Sequence, residues 1–480
     1  MDRSTLTVVP EPVAGGPEVT GLTADSRAVK PGHLFAALPG TKVDGRQFIQ
    51  AALEAGAVGV LAESAQDLDA LARRTPPVYV VADANPRRRL ALMAAKLYAP
   101  QPATIAAVTG TNGKTSTASF ARQIWGMLGR SAGSMGTLGV VAPGYEKPGS
   151  LTTPDPVTLH QELQRLAQSG VSHLCLEASS HGLDQFRLDG LEVQIAAFTN
   201  LTRDHLDYHQ SMEAYFAAKA RLFDVVMKPG GAAILNADVA KTGELVVLCR
   251  RHGHRVITFG ESDDAELRLL ARRPTTDGQA LTLEAAGRRY EIALPLAGAF
   301  QAMNVLAALG IVIASGEKPA DAIATLTRLG GVPGRLQRVG PQVYVDYAHT
   351  PDALETVLQA LRPHAEKRLV CVFGAGGDRD AGKRPLMGEV VARLADVAIV
   401  TDDNPRSEDP ATIRAAILAA CPGAREIGDR AEAIETAVRE LAPGDVLVIA
   451  GKGHERGQII KGVTHPFDDA EIARAALEAR

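Results

Sequence analysis

The sequence predicts an α/β protein of three domains, and three observations support this. Its 480 residues correspond to about three domains at roughly 150 residues each. Two segments rich in proline or glycine, residues 97–102 and 330–334, interrupt helices and mark joints. After the second joint, short apolar runs alternate with helical stretches, which is typical of βαβ units and a parallel sheet. We therefore expect domains at residues 1–100, 101–331 and 332–480.

The composition disfavours several other classes of protein. Hydrophobic residues make up 46% of the chain and charged residues 22%, unlike disordered or collagenous chains. The net charge of −4 lacks the basic excess of general nucleic-acid binders, so no nucleic-acid partner is expected. No apolar run of about 18 residues and no signal peptide are found, so no membrane insertion is expected. Four isolated cysteines suit a reducing compartment, and we expect a cytoplasmic protein.

The elements follow in order along the chain. Helical stretches are predicted at residues 47–55 and from Lys114 to Leu128, and strands and helices are expected to alternate from there to Leu329. The strands of the third domain form the parallel sheet of a Rossmann-like fold. Short apolar runs predict strands at residues 33–38, 78–82, 104–108, 343–345, 369–373, 397–400 and 446–449.

A glycine-rich loop follows the strand 104–108 and opens the next helix. Its glycines let backbone N–H groups approach phosphate oxygens, and the helix N-terminus adds a favourable dipole. Lys114 supplies a positive charge, and the Thr115 hydroxyl can hold Mg²⁺. Val108 stands where the full Walker A spacing has glycine, so the match is to a shortened form. The sequence predicts a P-loop-type ATP-binding domain, with a chance glycine turn as the alternative. The loop residues are Gly110, Thr111, Asn112, Gly113, Lys114, Thr115 and Ser116.

Two further segments of this domain suit a metal or phosphate site. Glu177 ends the apolar run 173–177, and ligands of open α/β sheets bind at the carboxyl ends of strands. A carboxylate that caps a helix or lies in a loop is the alternative. Residues 199–209 combine histidines with acidic residues, and here the alternative is a polar surface turn.

Lys219 lies on the apolar stripe of a predicted helix, among Tyr215, Phe216 and Phe223. Its amine either reaches solvent past the apolar surface or is buried. Composition by itself favours the first alternative. Burial would lower the pKa of the lysine. The neutral amine could then react with CO₂ to give a carbamate, an anion able to bind Mg²⁺.

Together these segments resemble the Mur ligase family, over essentially the whole chain. The combination is specific, although no single motif is. The matching motifs are residues 23–27, 44–46, 109–116, 177–183, 200–209, 218–219, 346–352, 377–380, 383–385 and 451–455.

The resemblance implies an ATP-dependent amide ligase of peptidoglycan precursor synthesis. Family members activate a carboxylate with ATP as an acyl phosphate, which the amine of an amino acid then attacks. The most similar branch extends UDP-N-acetylmuramoyl-L-alanyl-D-glutamate, usually with meso-diaminopimelate or L-lysine. The resemblance also implies Mg²⁺ as cofactor and ATP as a substrate. Small molecules are the expected partners, and a monomer is the expected state.

Roles carry over residue by residue as implications of the resemblance. The implied catalytic residues are Lys114, Glu177, His205 and Lys219. The implied Mg²⁺ ligands are Thr115, Glu177, His205 and Lys219, the last as N6-carboxylysine. Beyond the loop, ATP would be bound by Asn304, Arg335 and Asp346. The UDP-muramoyl dipeptide would be bound by Ala24, Ser26, Thr152, Thr153, Ser179, Gln185 and Arg187. Two departures are Leu151 and Gln301, which stand where the family often has asparagine.

Three motif loops follow three strands of the third domain, so in a parallel sheet they share one edge. Arg384 and Arg406 could each bind a carboxylate, while Asp403 and Glu455 could bind ammonium groups. Diaminopimelate carries an amino-carboxylate at each end, whereas an arginine would repel the terminal ammonium of L-lysine. In the family, the segment 403–406 accompanies diaminopimelate, which we therefore predict. The implied diaminopimelate residues are Arg384, Asp403, Asn404, Pro405, Arg406, Gly451 and Glu455.

Several alternatives stay open at this point. L-lysine could be the added residue, and residues 403–406 could be a capped turn with Arg406 in solvent. A folylpolyglutamate-synthetase-like ligase shares the phosphate loop, but residues 25–27 and 403–406 argue against it. A P-loop switch or motor needs no amino-acid pocket. A dinucleotide-dependent dehydrogenase is suggested by residues 374–377, which lack the full G-x-G-x-x-G spacing.

Overall fold

The computed structural model describes residues 18–40, 43–64, 78–149 and 151–480. They fall into two compact units. The first contains the described residues up to Thr258 together with Gly310–Glu317, and the second contains Phe259–Leu309 and Lys318–Arg480. Each of the three predicted domains contains a sheet with parallel strand pairs, and the predicted domain boundaries themselves stay a prediction.

The first unit begins with a small sheet of four parallel strands, in chain order. Its helix α2 starts where its sequence dictates, because the Asn85 side chain accepts a hydrogen bond from Arg88 N and Pro86 occupies the first turn. The elements are β1 (Gly21–Thr23), β2 (His33–Ala36), α1 (Ile49–Glu54), β3 (Gly59–Ala62), β4 (Tyr79–Ala82) and α2 (Pro86–Leu97).

A larger sheet with a parallel centre forms the rest of the first unit, in the order β12–β11–β10–β5–β9–β6–β7–β8. Its strands are β5 (Thr104–Thr109), β6 (Ala132–Gly136), β7 (Gly139–Ala142), β8 (Tyr145–Lys147), β9 (His173–Glu177), β10 (Val193–Phe198), β11 (Met227–Asn236) and β12 (Arg255–Gly260). Its helices are α3 (Lys114–Met127), α4 (Pro156–Gln168), α5 (Ser180–Asp184), α6 (Leu206–His209), α7 (Met212–Arg221) and α8 (Thr242–Arg251).

The register of this sheet decides which side chains can meet. Strand β5 lies between β9 and β10, with Val108 paired to Glu177 and Thr109 paired to Phe198. The carboxyl ends of the three strands therefore share one edge, and the loops that follow them are neighbours.

The second unit begins, after the end of β12, with an antiparallel meander rather than the predicted strand–helix alternation. Strands β13 (Leu267–Thr275), β14 (Gly278–Ala285) and β15 (Arg288–Leu294) pair in sequence. Alternate residues of β14 are buried. This pattern is typical of an antiparallel strand with one face on the core and the other accessible to solvent. In the first unit, β7 pairs antiparallel with both β6 and β8. Strict alternation to Leu329 was therefore wrong.

The second unit also contains a six-stranded sheet in the order β16–β17–β21–β18–β19–β20, parallel except for β16. Its four predicted strands are confirmed to within one residue. The strands are β16 (Gln337–Gly340), β17 (Val343–Asp346), β18 (Leu369–Phe373), β19 (Val397–Val400), β20 (Arg425–Glu426) and β21 (Val446–Ala450), followed by a ribbon of β22 (Gly457–Ile460) and β23 (Val463–Pro466).

Helices cover both faces of this sheet, which explains why its strands are continuous apolar runs. Leu354, Met387 and Ile413 pack on one face, and Ile434 and Ala473 pack on the other. No helix in the described ranges is both long and apolar enough to cross a membrane. The helices are α9 (Ala299–Ala314, ending in the first unit), α10 (Pro319–Thr325), α11 (Pro351–Leu361), α12 (Lys383–Leu394), α13 (Pro410–Leu418), α14 (Arg430–Arg439) and α15 (Asp469–Glu478).

Candidate active site

The glycine-rich loop joins β5 to the start of α3, as the sequence predicts. Gly110 and Gly113 have φ angles of +144° and +87°, which favour glycine. A Cβ atom on Gly110 would also overlap the Thr199 hydroxyl. The Lys114 ammonium donates hydrogen bonds to the carbonyls of Gly110 at 2.9 Å and Thr111 at 2.7 Å. The loop is thus folded around its own lysine.

The segment that follows β10 supports this loop from one side. Thr111 N donates to the carbonyl of Asn200 at 3.0 Å, and Asn112 N donates to the Asn200 side chain at 2.9 Å. The Thr199 hydroxyl donates to the carbonyl of Asn112 at 2.6 Å. The motif 199–209 therefore begins with two residues that hold the phosphate loop, a role the sequence analysis missed. Their place after a strand of the same sheet edge was the available signal.

Glu177 is directed at the start of α3 from the end of β9. It is 3% exposed, and its Oε2 accepts a hydrogen bond from Thr115 Oγ1 at 3.0 Å while Oε1 accepts one from Thr137 N at 2.8 Å. The alternative of a helix-capping carboxylate is wrong, because the neighbouring Ser179 caps α5. Thr115 and Glu177 thus bring a hydroxyl and a carboxylate together beside the phosphate loop.

Lys219 is buried, so the solvent-exposed alternative is wrong. Its side chain is on α7 and is 1% exposed. The Nζ atom donates to the carbonyl of Gly110 at 2.8 Å and lies 4.2 Å from the ring centre of Tyr215. Burial lowers the pKa of Lys219 well below its ordinary value, and the positive charge of Lys114 lowers it further. Burial and the charge of Lys114 therefore make the neutral amine more accessible to Lys219 than to an exposed lysine.

His205 differs from the other predicted metal ligands because its side chain is 47% exposed. It has a left-handed φ of +53°, and its ring lies edge-on to that of His181, with centroids 4.8 Å apart. Its Nε2 atom lies 3.5 Å from Asp204 Oδ2. His205 thus lies beside another imidazole at a partly exposed position, whereas Thr115, Glu177 and Lys219 are buried.

The donor atoms at the phosphate loop fit Mg²⁺. Carboxylate and hydroxyl oxygens are hard ligands, and protein-bound Mg²⁺ usually combines one or two carboxylates with phosphate oxygens and water. The described parts of the chain contain no cluster of three or more His, Cys, Asp or Glu suited to hold a metal ion. Metal binding here therefore calls for phosphate oxygens beside Thr115 and Glu177. Lys219 could contribute only as a carbamate, because an ammonium has no lone pair.

A cavity of about 630 Å³ lies in the first unit, and its lining includes Ala24, Leu151, Gln185 and Arg187. Ser26 is not among its lining residues and starts a short 3₁₀ helix capped by Asp25. The cavity is large enough for a nucleotide-sized ligand.

Hydrogen bonds connect the predicted substrate residues next to this cavity. Arg187 donates to the carbonyl of Thr153 at 2.7 Å and to Gln185 Oε1 at 2.6 Å, and burial lowers its pKa. The Ser179 hydroxyl donates to Thr153 Oγ1 at 3.0 Å. The Thr152 hydroxyl lies 3.1 Å from that of Thr137, whose backbone N–H binds Glu177. This network reaches from the cavity to the predicted metal ligands.

In the second unit, Gln301 connects two of the predicted ATP residues. Its amide donates to the carbonyl of Arg335 at 3.0 Å and accepts from Asn304 Nδ2 at 3.0 Å. Asp346, at the end of β17, accepts hydrogen bonds from Leu336 N and Ala348 N. Burial raises the pKa of Asp346 to about 6, although the charge of Arg335 opposes the shift. The Gln301 side chain thus connects Asn304 to the backbone of Arg335 through hydrogen bonds.

The loops that follow β18, β19 and β21 meet at one sheet edge, as predicted. Arg406 donates to the carbonyl of Gly377 at 2.8 Å and has a left-handed φ of +53°. Asn404 donates to Glu455 Oε2 at 2.8 Å. A Cβ atom on Gly451 would overlap the Asp403 carboxylate. The predicted diaminopimelate residues therefore form one cluster of carboxylates, amide and guanidinium.

Arg384 has a partner that the sequence analysis did not identify. Its Nη2 atom donates to both carboxylate oxygens of Glu408, at 2.8 and 2.9 Å. This hydrogen bond lowers the pKa of Glu408 below its ordinary value. The charge of Arg384 is thus already paired within the chain.

Comparison with known proteins decides the family. Residues 18–98 match the Mur ligase family, catalytic domain, residues 108–312 match the Mur ligase middle domain, and residues 334–453 match the Mur ligase, glutamate ligase domain. The chain is 56% identical over 478 residues to the UDP-N-acetylmuramoyl-L-alanyl-D-glutamate--2,6-diaminopimelate ligase of Caulobacter vibrioides, covering 97% of each chain. The chain belongs to the Mur ligase family.

Further similar proteins support this family assignment. A ligase of the same name from Bradyrhizobium diazoefficiens is 53% identical, with 98% of this chain and 97% of that protein covered. A solved structure of a ligase of this name is 35% identical, with a TM-score of 0.71 and coverage of 96% and 95%. The folylpolyglutamate synthase of Mycobacterium tuberculosis shares the fold at 22% identity and a TM-score of 0.62, with 76% of this chain and 92% of that chain covered.

Proposed function

We propose that this Mur ligase joins an amino group of meso-diaminopimelate to the D-glutamate carboxylate of UDP-N-acetylmuramoyl-L-alanyl-D-glutamate. ATP supplies the driving force and leaves as ADP and phosphate. The observation that carries the choice of amino acid is the cluster of Arg406, Asn404 and Glu455 at one sheet edge. It offers a guanidinium for a carboxylate and a carboxylate for an ammonium. Relatives that cover nearly the whole chain are named for the same reaction.

The first step transfers the terminal phosphoryl group of ATP to the D-glutamate carboxylate and forms an acyl phosphate. The residues 110–116 would hold the phosphates, with backbone amides and the Lys114 ammonium offsetting their charge. Asn304, Arg335 and Asp346 would also bind ATP. In the second step, the amine attacks the acyl carbon, and inorganic phosphate departs.

Several anions meet in this reaction, so the site needs positive charge. Thr115, Glu177, His205 and carbamylated Lys219 would hold Mg²⁺, which offsets repulsion between the carboxylate and the phosphates. The burial of Lys219 and its lowered pKa support carbamate formation. The lysine nitrogen would lose a proton and bond to the carbon of CO₂, giving N6-carboxylysine.

The cavity of the first unit would take the UDP-muramoyl dipeptide. Ala24, Gln185 and Arg187 line it, and Arg187 would face the phosphates of the nucleotide sugar. Thr152, Thr153 and Ser179 would orient the peptide end toward the phosphate loop. Ser26 would contribute from outside the lining residues. Leu151 lines the same cavity, but its side chain offers no hydrogen bond to the substrate.

Three of the predicted amino-acid-binding residues, Pro405, Gly451 and Arg384, would contribute through loop shape or through a charge that is already paired. Pro405 lies in the loop that carries Asp403, Asn404 and Arg406, and the lack of a side chain at Gly451 leaves space for the Asp403 carboxylate. Arg384 would add positive charge to the site while it stays paired with Glu408. We further propose a monomer that works in the cytoplasm. The four cysteines are free and buried, which suits a reducing compartment.

The release of ADP with each candidate amino acid tests this proposal. We expect rapid turnover only when the UDP-muramoyl dipeptide, ATP and meso-diaminopimelate are all present. L-lysine should be a far weaker substrate, and faster turnover with L-lysine would overturn the assignment. Arg406→Ala should raise the KM for meso-diaminopimelate by about tenfold or more, since a charge-assisted contact is lost. Arg393→Ala, an exposed change on α12, is the matched control and should behave like the wild type.

A further inference from the structure

Lys452 is a fully buried cation among the loops that carry the amino-acid site. It follows β21 in the segment 451–455, and its side chain is 0% exposed. The Nζ atom donates to Asn404 Oδ1 at 2.9 Å and to Glu455 Oε2 at 3.1 Å. A buried ammonium is costly unless it is paired and hydrogen-bonded. Lys452 therefore depends on these two partners for its place in the structure.

The same contacts determine how Asn404 is oriented. Its Oδ1 atom accepts from Lys452 and also from Ile459 N at 2.9 Å. Lysine and a backbone N–H can only donate, so the oxygen of the amide must face both of them. The amide nitrogen is thereby turned to Glu455 Oε2, to which it donates at 2.8 Å. An Asn404 with the amide reversed would place donor against donor.

Glu455 is in turn held by one of its two oxygens. Both hydrogen bonds given to its side chain by Lys452 and Asn404 end on Oε2. The Glu455 side chain is 34% exposed, and neither of these two hydrogen bonds uses Oε1. A carboxylate fixed at one oxygen by two donors presents the other in a defined direction, at little cost in side-chain entropy on binding.

We propose that Lys452 is a positioning residue for the amino-acid substrate. It fixes Glu455 and Asn404 so that Glu455 Oε1 accepts a hydrogen bond from an ammonium group of that substrate. Lys452 acts through these two side chains and does not itself contact the amino acid. The inference rests on the proposed function, because it requires a substrate with an ammonium group in this pocket.

The test is Lys452→Met, which keeps an unbranched side chain one atom shorter than lysine and removes the charge and the donors. We expect the KM for meso-diaminopimelate to rise by about 20-fold or more and kcat to fall by less than about threefold. The KM values for ATP and for the UDP-muramoyl dipeptide should stay within about twofold of the wild type. An unchanged KM for meso-diaminopimelate, or an equal rise for all three substrates, would overturn the proposal.

A second comparison shows whether Lys452 acts through Glu455. In a Glu455→Gln background, Lys452→Met should raise the KM further by less than about threefold, because coupled residues are not additive. Fully additive effects would contradict the proposal. Lys461→Met, an exposed change in the turn between β22 and β23, is the control and should match the wild type.

Two safeguards keep the experiment decisive. If Lys452→Met does not fold, Lys452→Gln is used, which keeps one amide donor but no charge. The same selective rise in KM is then expected, and its absence overturns the proposal. Failure of the proposed function looks different, since the wild-type enzyme itself would then not depend on meso-diaminopimelate for ADP release.

Discussion

Arg384 and Glu408 form an ion pair in which one guanidinium nitrogen contacts both carboxylate oxygens, at 2.8 and 2.9 Å. The Arg384 side chain is 5% exposed, whereas that of Glu408 is 32% exposed. Glu408 also accepts a hydrogen bond from Asp378 N at 2.5 Å. The pair thus ties the start of α12 to the loops after β18 and β19, where the amino-acid site lies.

The first prediction concerns this pair. Glu408→Gln should raise the KM for meso-diaminopimelate by about fivefold, because Arg384 loses its charged anchor and the loops lose a link. Initial rates at varied amino-acid concentration measure the effect. Glu355→Gln removes the carboxylate of the exposed pair with Arg393 and should change nothing. A lower KM in Glu408→Gln would instead show that Glu408 competes with a substrate carboxylate.

The second prediction concerns Lys219. Lys219→Ala should lower kcat by about 100-fold or more, since the metal site loses its carbamate. Added bicarbonate should restore part of the activity, because a small anion can occupy the space that the side chain leaves. ADP release with and without bicarbonate measures both effects. Lys228→Ala, at an exposed pair with Glu192, is the control. Full activity of Lys219→Ala without bicarbonate would reject the carbamate.

Much of the third-domain sheet was predictable from the sequence. Its buried strands are continuous apolar runs of four or five residues with helices on both sides, a pattern typical of a parallel sheet covered on both faces. The runs 369–373 and 397–400 match the strands residue for residue. Residues 281–285 alternate between apolar and polar side chains, which indicates an antiparallel strand rather than a unit of a strand–helix alternation.

The candidate site was predictable in its motifs and much less so in its contacts. Residue types and spacing indicated the phosphate loop and Glu177. The burial of Lys219 depends on how α7 packs against the loop of Gly110, and a helical stripe alone does not fix this. Glu408 lies 24 residues after Arg384, and a charged residue at that distance carries no sign of its partner. Ion pairs across loops follow from tertiary structure only.

The third prediction follows from the pKa of Asp346, which burial raises from 3.8 to about 6. The folded protein then binds this proton more tightly than the unfolded chain. The resulting stabilisation is complete below about pH 4 and is lost as the pH rises through 6. By this linkage, ionisation of Asp346 lowers the free energy of unfolding by up to about 3 kcal/mol.

Asp346→Asn removes this ionisation. The free energy of unfolding of the wild type minus that of Asp346→Asn should therefore fall as the pH increases from about 4 to about 7. Urea titrations at several pH values measure it, with Asp352→Asn, at an exposed position of α11, as control. A difference that is constant over this range, or that grows with pH, would contradict the assigned pKa.

The last prediction concerns the buried pair of Arg430 and Asp469, both with 0% exposed side chains. Two hydrogen bonds of 2.7 Å join them, and Arg430 also donates to the carbonyl of Ala450 at 3.0 Å.

Asp469→Asn leaves a buried guanidinium without its directly bonded carboxylate and should cost about 3–5 kcal/mol of unfolding free energy. Replacing both residues, as in Arg430→Met with Asp469→Leu, should cost less than Asp469→Asn alone, because the guanidinium and its directly bonded carboxylate are removed together. Chemical denaturation measures both variants, and Glu440→Gln at the exposed pair with Arg425 serves as control. A double variant less stable than Asp469→Asn would mean that the bond to Ala450, rather than the charge balance, dominates this part of the core.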